Sequence, residues 1–241
     1  GEELFVRCGG VTLGPRDHPR MARVREAMAS ERVRFEELSP SEVAERFPAI
    51  RLRDGEVALY QADGGFLRAS RCVAAAWRLA RASGAALHEG ASVASIAWRG
   101  GRAVVATGGG ERDFDACVVA AGAWIGRLAP GLAPRLTVQK QQVVYCAIET
   151  HAERFEPSRM PTWIDVGSHD YGFPSDGEVE GVKVAHHGDG PAVDPELDDR
   201  AVDLARETAM LERARRRLPD LSDRVVSAQA CLYTMAPGED F

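Results

Sequence analysis

Three side chains that could take part in chemistry lie within the stretch YGFPSDGEVEGVKVAHH, residues 171–187. Tyr171, Lys183 and His187 fall on two runs typical of adjacent β-strands, joined by a loop from Ser175 to Gly181. Lys183 and His187 are four residues apart, so they share one face if the strand is unbroken. A lysine between valines is usually solvent-exposed, whereas a buried one is a candidate for function. The residue types leave both interpretations open, and Tyr171 also fits a structural role as a half-buried aromatic.

A second candidate is the run DACVVAAGAW, residues 115–124, which has the composition of a buried strand. It would deliver small residues and Gly122 to a strand end, where backbone can approach a dinucleotide closely. On residue types alone, a core strand followed by a helical turn is the favoured interpretation.

A third candidate is Cys231, in the closing stretch ACLYTMAPGEDF. It lies two residues before Tyr233, in an apolar run that turns abruptly at Pro237 and Gly238. Taken by itself, such a cysteine is most often a buried core residue.

Several familiar sites are absent from the sequence. It has no G-x-S-x-G elbow, no P-loop and no H-E-x-x-H. Ser168, His169 and Asp170 are consecutive and diverge, so their spacing does not indicate a catalytic triad. His186 and His187 would face opposite sides of a sheet, and we predict no metal site. No G-x-G-x-x-G follows any strand-like run.

Composition indicates an ordinary globular protein. The 241 residues are 45% hydrophobic and 27% charged, enough to bury a sizeable core. A net charge of −6 argues against a nucleic-acid surface, and we interpret the basic cluster ERARRR, residues 212–217, as a solvated helix face. Five cysteines without a C-x-x-C favour a reducing cytoplasm over a disulfide framework. No apolar stretch approaches the roughly 20 residues that cross a bilayer, so we expect no membrane partner.

Helix signals punctuate the chain. Asp17 is placed to cap a helix with Pro19 in its first turn, and Ser39 opens a capping box completed by Glu42. A third helix covers RASRCVAAAWRLARASGA and ends at Gly84, with Cys72, Ala76, Leu79 and Ala80 on one stripe.

Strand signals fill most of the rest. The glycine run TGGGER, residues 107–112, reads as a turn between the strand-like runs GRAVVA and FDACVVAAG, and strands again dominate from Arg135. A last helix, in DPELDDRAVDLARETAMLERARRRLP, precedes a closing strand, RVVSAQACLYTM. We therefore predict a mixed α/β (α+β) fold and not a regular doubly wound sheet.

The order of YGFPSDGEVEGVKVAHH and CLYTMAPGEDF, with VVAAGAW upstream, resembles the FAD-dependent amine and amino-acid oxidases. The similarity is greatest to the branch of monomeric sarcosine oxidase, N-methyl-tryptophan oxidase and pipecolate oxidase. LSPSEVAERFPAI and DGGFLRASR also resemble this family, so the resemblance covers nearly the whole chain. It implies oxidation of a small secondary amine or N-methyl amino acid beside its nitrogen, with O2 as electron acceptor and H2O2 as product.

The resemblance also implies roles for particular residues. Cys231 is similar to the cysteine that bonds the flavin covalently, and Lys183 to the lysine beside which oxygen is reduced. His187 is similar to the active-site histidine, and Tyr171 and Tyr233 to tyrosines that border the substrate. Cofactor contacts are further implied for residues Val93, Gly122 and Trp124.

The resemblance divides the chain into a strand-rich mixed-sheet substrate domain, residues 1–65 and 130–228, and an incomplete Rossmann-like FAD-binding domain, residues 66–129. Residues 229–241 would begin the last FAD-contacting segment. The family's G-x-G-x-x-G unit and its C-terminal G-H-G region have no counterpart here, so we expect an internal fragment that is inactive and binds little FAD by itself. A flavin dehydrogenase or demethylase with another acceptor, and a non-catalytic binding module, remain alternatives.

Overall fold

The computed structural model describes residues 2–188 and 190–238. By its contacts the chain divides into two units. Unit 1 comprises Gly1–Cys72, Gln142–Asp189 and Ala201–Ala230, and unit 2 comprises Val73–Gln141, Gly190–Arg200 and Cys231–Phe241. The assignment of a substrate domain and an FAD domain to parts of the chain stays a prediction.

The elements confirm the predicted mixed class. The helices are α1 (Pro19–Ser30), α2 (Pro40–Arg46), α3 (Ala69–Ala82), α4 (Ile125–Leu128) and α5 (Leu204–Arg217). The first strands are β1 (Phe5–Val6), β2 (Gly10–Pro15), β3 (Glu36–Leu38), β4 (Glu56–Gln61), β5 (Phe66–Leu67), β6 (Val93–Arg99), β7 (Arg102–Thr107) and β8 (Gly110–Phe114). The later ones are β9 (Thr137–Ile148), β10 (Thr162–Asp165), β11 (Asp170–Phe173), β12 (Val182–His186) and β13 (Leu221–Met235).

Unit 1 is built on a mixed sheet with the strand order β13-β9-β12-β11-β10-β2-β4-β3. β10 and β2 run parallel, whereas β11 is antiparallel to both β10 and β12. The chain passes between the two units within β9 and β13.

Side chains alternate across this sheet because successive residues of a strand point to opposite faces. One face carries Val11, Val144, Trp163 and Val184, which pack with residues of α2 and α5 in the main core. We call the opposite face, which carries Thr12, Ile164, Tyr171, Phe173 and Lys183, the site face. At the β2–β4 end, Met21 of α1 covers this second face in a smaller core with Val57 and Leu59.

Unit 2 contains a three-stranded antiparallel sheet, β6-β7-β8. β7 and β8 form a hairpin through the predicted glycine turn, with Thr107 paired to Gly110. The end of α3 also follows the prediction. The Ala85 and Gly84 N–H groups donate to the Ala80 and Arg81 carbonyls, and Gly84 has a left-handed φ of 90°.

Helix starts agree with the sequence in one case and differ in two. Ser39 and Glu42 form the predicted reciprocal capping box of α2. The N-cap of α1 is His18 and not Asp17, because the His18 side chain accepts the Arg20 N–H. Helix α5 begins at Leu204, ten residues later than its sequence signal, because Asp203 accepts the Ala205 and Arg206 N–H groups and sets the start.

The strand predicted through residues 115–121 is wrong. These residues lie outside every strand, and Val118 is 91% exposed. An apolar run becomes a strand only where a neighbour supplies backbone hydrogen bonds. No strand among residues 2–188 and 190–238 pairs with this run.

The interpretation of residues 212–217 as a solvated face is also wrong in part. Arg215 and Arg216 are exposed, but Arg217 is only 3% exposed, and Arg213 is half-buried. The buried arginines have carboxylate partners on the sheet, which the helix sequence by itself does not reveal.

Candidate functional site

Tyr171 and Lys183 lie on one face of adjacent strands. Tyr171 is paired with Ala185, and Phe173 is paired with Lys183, so all four side chains point to the site face. Lys183 Nζ lies 4.7 Å from the centroid of the Phe173 ring. A ring face attracts a cation, so Phe173 helps to hold the ammonium group at this position.

Phe173 is the centre of an aromatic cluster that the sequence reasoning missed. Its ring stacks on Phe66 at 5.4 Å and lies 6.3 Å from the Tyr171 ring. On the other side of Lys183, the paired residue on β9 is Tyr145. The spacing of Tyr171 and Phe173, two residues apart, was the available signal, because residues i and i+2 of a strand share a face.

A glycine between the two aromatics is required by close packing. Gly172 faces the core, and a Cβ at this position would lie 2.6 Å from Trp163 Nε1. The absent side chain lets the Trp163 indole lie directly under β11, which supports the strand that carries Tyr171.

A cleft of about 270 Å³ adjoins the aromatics on unit 1. Tyr171 and Phe173 form one side and Met28 of α1 contributes to another. Its remaining lining comes from residues Gly10, Val11, Thr12, Gln61, Thr162, Trp163 and Ile164. The mixture of apolar walls with a few hydroxyl and amide groups is typical of a small-molecule site.

His187 follows directly after the last residue of β12. Its backbone N–H donates to the His169 carbonyl at 2.9 Å, which fixes the chain where it leaves the strand. The structure therefore places Tyr171 and Lys183 on one face of the paired strands β11 and β12 in unit 1, and His187 one residue beyond the end of β12.

The remaining predicted residues all belong to unit 2. Cys231 and Tyr233 are half-buried, two residues apart near the end of β13. Val93 opens β6 and lines a cavity of about 670 Å³ together with His88, Val105, Arg112 and Phe114, among others.

Gly122 and Trp124 form a single turn of 3-10 helix, Gly122–Trp124. Gly122 has a left-handed φ of 52°, and a Cβ there would meet nothing within 4 Å. Trp124 lines a cavity of about 470 Å³ with Thr234, and its ring lies 5.6 Å from the Arg200 guanidinium carbon.

These unit 2 residues fit the predicted cofactor chemically. Gly122 leaves backbone open to a ligand, and the half-buried Cys231 supplies a thiol at a fixed position. Within residues 2–188 and 190–238, no group of three or more His, Cys, Asp or Glu side chains could hold a metal ion. No helix in the same described part is long and apolar enough to cross a membrane.

Comparison with known proteins decides the family. The model of the DAO family, described as FAD dependent oxidoreductase, matches residues 2–241. The chain belongs to this family.

Two curated relatives illustrate the branch. Monomeric sarcosine oxidase of Streptomyces avermitilis is 32% identical over 247 aligned residues, and N-methyl-L-tryptophan oxidase of Salmonella arizonae is 29% identical over 248. Both alignments include 100% of this chain but only 64% of the relative. The chain thus spans less than two thirds of the length of these DAO proteins.

Solved structures share the fold at low sequence identity. A Tyr258Phe mutant of NikD, described as an unusual amino acid oxidase essential for nikkomycin biosynthesis, has a TM-score of 0.82 at 20% identity. The alignment covers 99% of this chain and 63% of the NikD chain. Glycine oxidase from Geobacillus kaustophilus has a TM-score of 0.78 at 21% identity, covering 98% and 61%.

Proposed function

We propose that the whole protein is an FAD-dependent oxidase of a small secondary amine or N-methyl amino acid, with O2 as electron acceptor. The reaction would convert the amine to an imine and O2 to H2O2. The observation that carries this proposal is the placement of Lys183 on the same sheet face as Tyr171 and against the ring of Phe173, the two aromatics that line a cleft of about 270 Å³. Membership of the DAO family and its sarcosine and N-methyl-tryptophan oxidase relatives supports the substrate class.

FAD, when bound, supplies the acceptor for the hydride that leaves the carbon beside the amine nitrogen. In our proposal Cys231 holds the cofactor through its sulfur, and Val93, Gly122 and Trp124 contact it. A thiolate at a fixed position is the nucleophile that such a bond requires.

The side chains of unit 1 would act on the substrate and on oxygen. Tyr171 forms an aromatic wall of the cleft, against which the substrate would be oriented, and His187 would contribute a polar group at the end of β12. Lys183 places a cation at a fixed position, and such a charge stabilises negative charge that develops as oxygen is reduced.

Replacement of Lys183 by methionine tests the oxygen step. In the flavin-loaded whole protein, we expect the Lys183→Met variant to consume O2 about 100-fold more slowly or worse, because a preorganised charge is removed. Reduction of the flavin by an N-methyl amino acid without oxygen should change far less. Stopped-flow absorbance measures the two half-reactions separately.

The matched control is Lys140→Met. Lys140 is the other lysine of the chain and pairs with Asp198 at 2.9 Å, so its loss should leave oxygen consumption near the wild-type rate. Equal oxygen rates in the wild type and Lys183→Met would contradict the role of Lys183. A wild type that is reduced by amine but ignores oxygen would indicate a dehydrogenase.

A further inference from the structure

A buried carboxylate lies on the core side of the sheet, at the start of β11. Asp170 is only 1% exposed and is paired in register with His186. His186 Nδ1 lies 2.9 Å from Asp170 Oδ1, and Arg213 of α5 donates from Nε to Oδ2 at 2.9 Å and from Nη2 to Oδ1 at 3.0 Å. We call Asp170, His186 and Arg213 the Asp170 clamp.

A second arginine of the same helix binds the other end of the turn that joins β10 to β11. Arg217 comes four residues after Arg213 and therefore lies on the same side of α5. Its Nε donates to Asp165 Oδ2 at 2.7 Å and its Nη2 to Glu56 Oε1 at 2.8 Å. Asp165 ends β10 and Asp170 begins β11. The two arginines of α5 therefore bind a carboxylate at each end of the turn at residues 166–169.

This turn is connected directly to the backbone of His187. The His169 carbonyl accepts the His187 N–H at 2.9 Å. His169 has a left-handed φ of 60°, a conformation that a residue with a side chain keeps only where its surroundings hold it. Its ring stacks on that of His186 at 6.4 Å, so the clamp contacts the turn through side chains as well.

We propose that Asp170 and Arg213 are positioning residues that hold the His169 turn and the end of β12, and thereby place His187 for amine oxidation. The catalytic part of this inference rests on the function proposed above. The geometric part concerns only the described residues of unit 1 and can be tested by itself.

A buried ion pair could also serve only to stabilise the fold, since removal of one partner leaves an unpaired charge. The two roles differ in what they predict for the His187 amide. A local positioning role affects the end of β12 before the rest of the strand, whereas a purely global role affects all protected amides together.

Amide hydrogen exchange in the 241-residue chain separates these roles. In Arg213→Lys, which keeps the charge but loses the bidentate fork, the His187 N–H should exchange about 10-fold faster or more. The Val184 N–H, in the middle of β12, should keep its wild-type rate. Asp170→Asn should give the same pattern more strongly, and Arg213→Lys serves as the milder variant if Asp170→Asn does not fold.

The control is Arg216→Lys, because Arg216 lies on the exposed side of the same helix. It should leave both amides unchanged. An unchanged His187 amide in Arg213→Lys, or equal acceleration at His187 and Val184, would overturn the positioning role.

A double-mutant cycle in the flavin-loaded whole protein tests the link to catalysis. We expect Arg213→Lys to lower kcat/KM for the amine about 10- to 100-fold, with most of the loss in kcat, because small misplacements of reacting groups are costly. In a His187→Asn background the same substitution should have almost no further effect. Additive losses would show that Arg213 does not act through His187.

The two experiments distinguish failure of this inference from failure of the proposed function. If the wild-type whole protein oxidises no secondary amine, the proposed function is wrong. Hydrogen exchange at His187 then still decides whether the Asp170 clamp positions this residue. If the wild type is active and the exchange rate of the His187 amide is unchanged in Arg213→Lys, only the positioning role of the clamp is wrong.

Discussion

At the residue scale, the alternation of strand side chains explains what the sequence could reveal. Lys183 and Tyr171 were recognisable as candidates because each stands in a strand-like run next to apolar residues. Their common face depends on the register of β11 against β12, with Phe173 opposite Lys183. The intervening loop leaves this register open, and a slip of one residue would reverse every side chain.

Cys231 carries the most specific prediction at this scale. We expect the whole protein to keep flavin bound after acid denaturation, because the Cys231 sulfur would be bonded to the cofactor. Cys231→Ala should release the flavin on denaturation. Absorbance of the washed precipitate, with mass spectrometry of the peptide that contains Cys231, measures the difference.

Cys117→Ala is the matched control, since Cys117 is an exposed cysteine of the same unit. It should retain the flavin in the precipitate like the wild type. Flavin that stays in the precipitate of Cys231→Ala would place the covalent bond elsewhere, and flavin lost from the wild type would exclude such a bond.

At the element scale, α5 shows where sequence reasoning succeeds and fails. Its existence and its last turn were predictable from the run that ends in ERARRR. Its start at Leu204 was not, because several acidic residues upstream could each have capped it. The burial of Arg217 was also hidden, because its partners Glu56 and Asp165 come from strands far away in the sequence.

The Arg217 network predicts a specific dependence of stability on pH. Burial raises the pKa of the Glu56 and Asp165 carboxyls, but the Arg217 guanidinium and backbone N–H donors outweigh it and hold both pKa values below their usual range. Stability from these groups is therefore present above the carboxyl pKa of the unfolded chain, about 4, and is lost as pH falls through the lower folded values.

Arg217→Gln should reverse this dependence. Without the guanidinium, burial dominates and raises the two carboxyl pKa values above those of the unfolded chain. We expect a loss of about 3–5 kcal/mol in the free energy of unfolding at neutral pH. The deficit should shrink as pH falls from 7 towards 5, because the folded carboxyls then take up protons.

Urea denaturation of the 241-residue chain at both pH values measures this deficit. Arg216→Gln, on the exposed side of α5, should differ little from the wild type at either pH. A deficit of the same size at pH 7 and pH 5 would contradict the proposed rise in the two carboxyl pKa values of the variant.

At the scale of the whole molecule, two observations show what the sequence by itself does not determine. The strand predicted at residues 115–121 does not form, and the alignments cover only 64% of each relative. The residues of this run have the composition of a buried strand, yet Val118 is 91% exposed. Local composition gives this run a propensity for strand, but the strand prediction is wrong because sheet formation also needs a partner strand, and none of the described strands pairs with the run. The mixed class could be predicted because it depends on the order of the elements, which the sequence displays.

The incomplete match to the relatives predicts weak cofactor binding by the chain itself. The 241 residues contain no G-x-G-x-x-G segment that could seat a pyrophosphate at a helix N-terminus. Equilibrium dialysis with FAD should therefore detect little binding to the chain, whereas the whole protein should bind it. A yellow 241-residue preparation that turns over sarcosine would contradict this expectation.

Anaerobic mixing of the flavin-loaded whole protein with N-methyl amino acids tests the proposed function most directly. Sarcosine and N-methyl-L-tryptophan, with the matching primary amino acids as controls, cover the substrate class suggested by the relatives. We expect at least one secondary amine to bleach the oxidised flavin absorbance, and admission of O2 to restore it with formation of H2O2. Flavin that stays oxidised with every secondary amine would contradict the proposed amine oxidation.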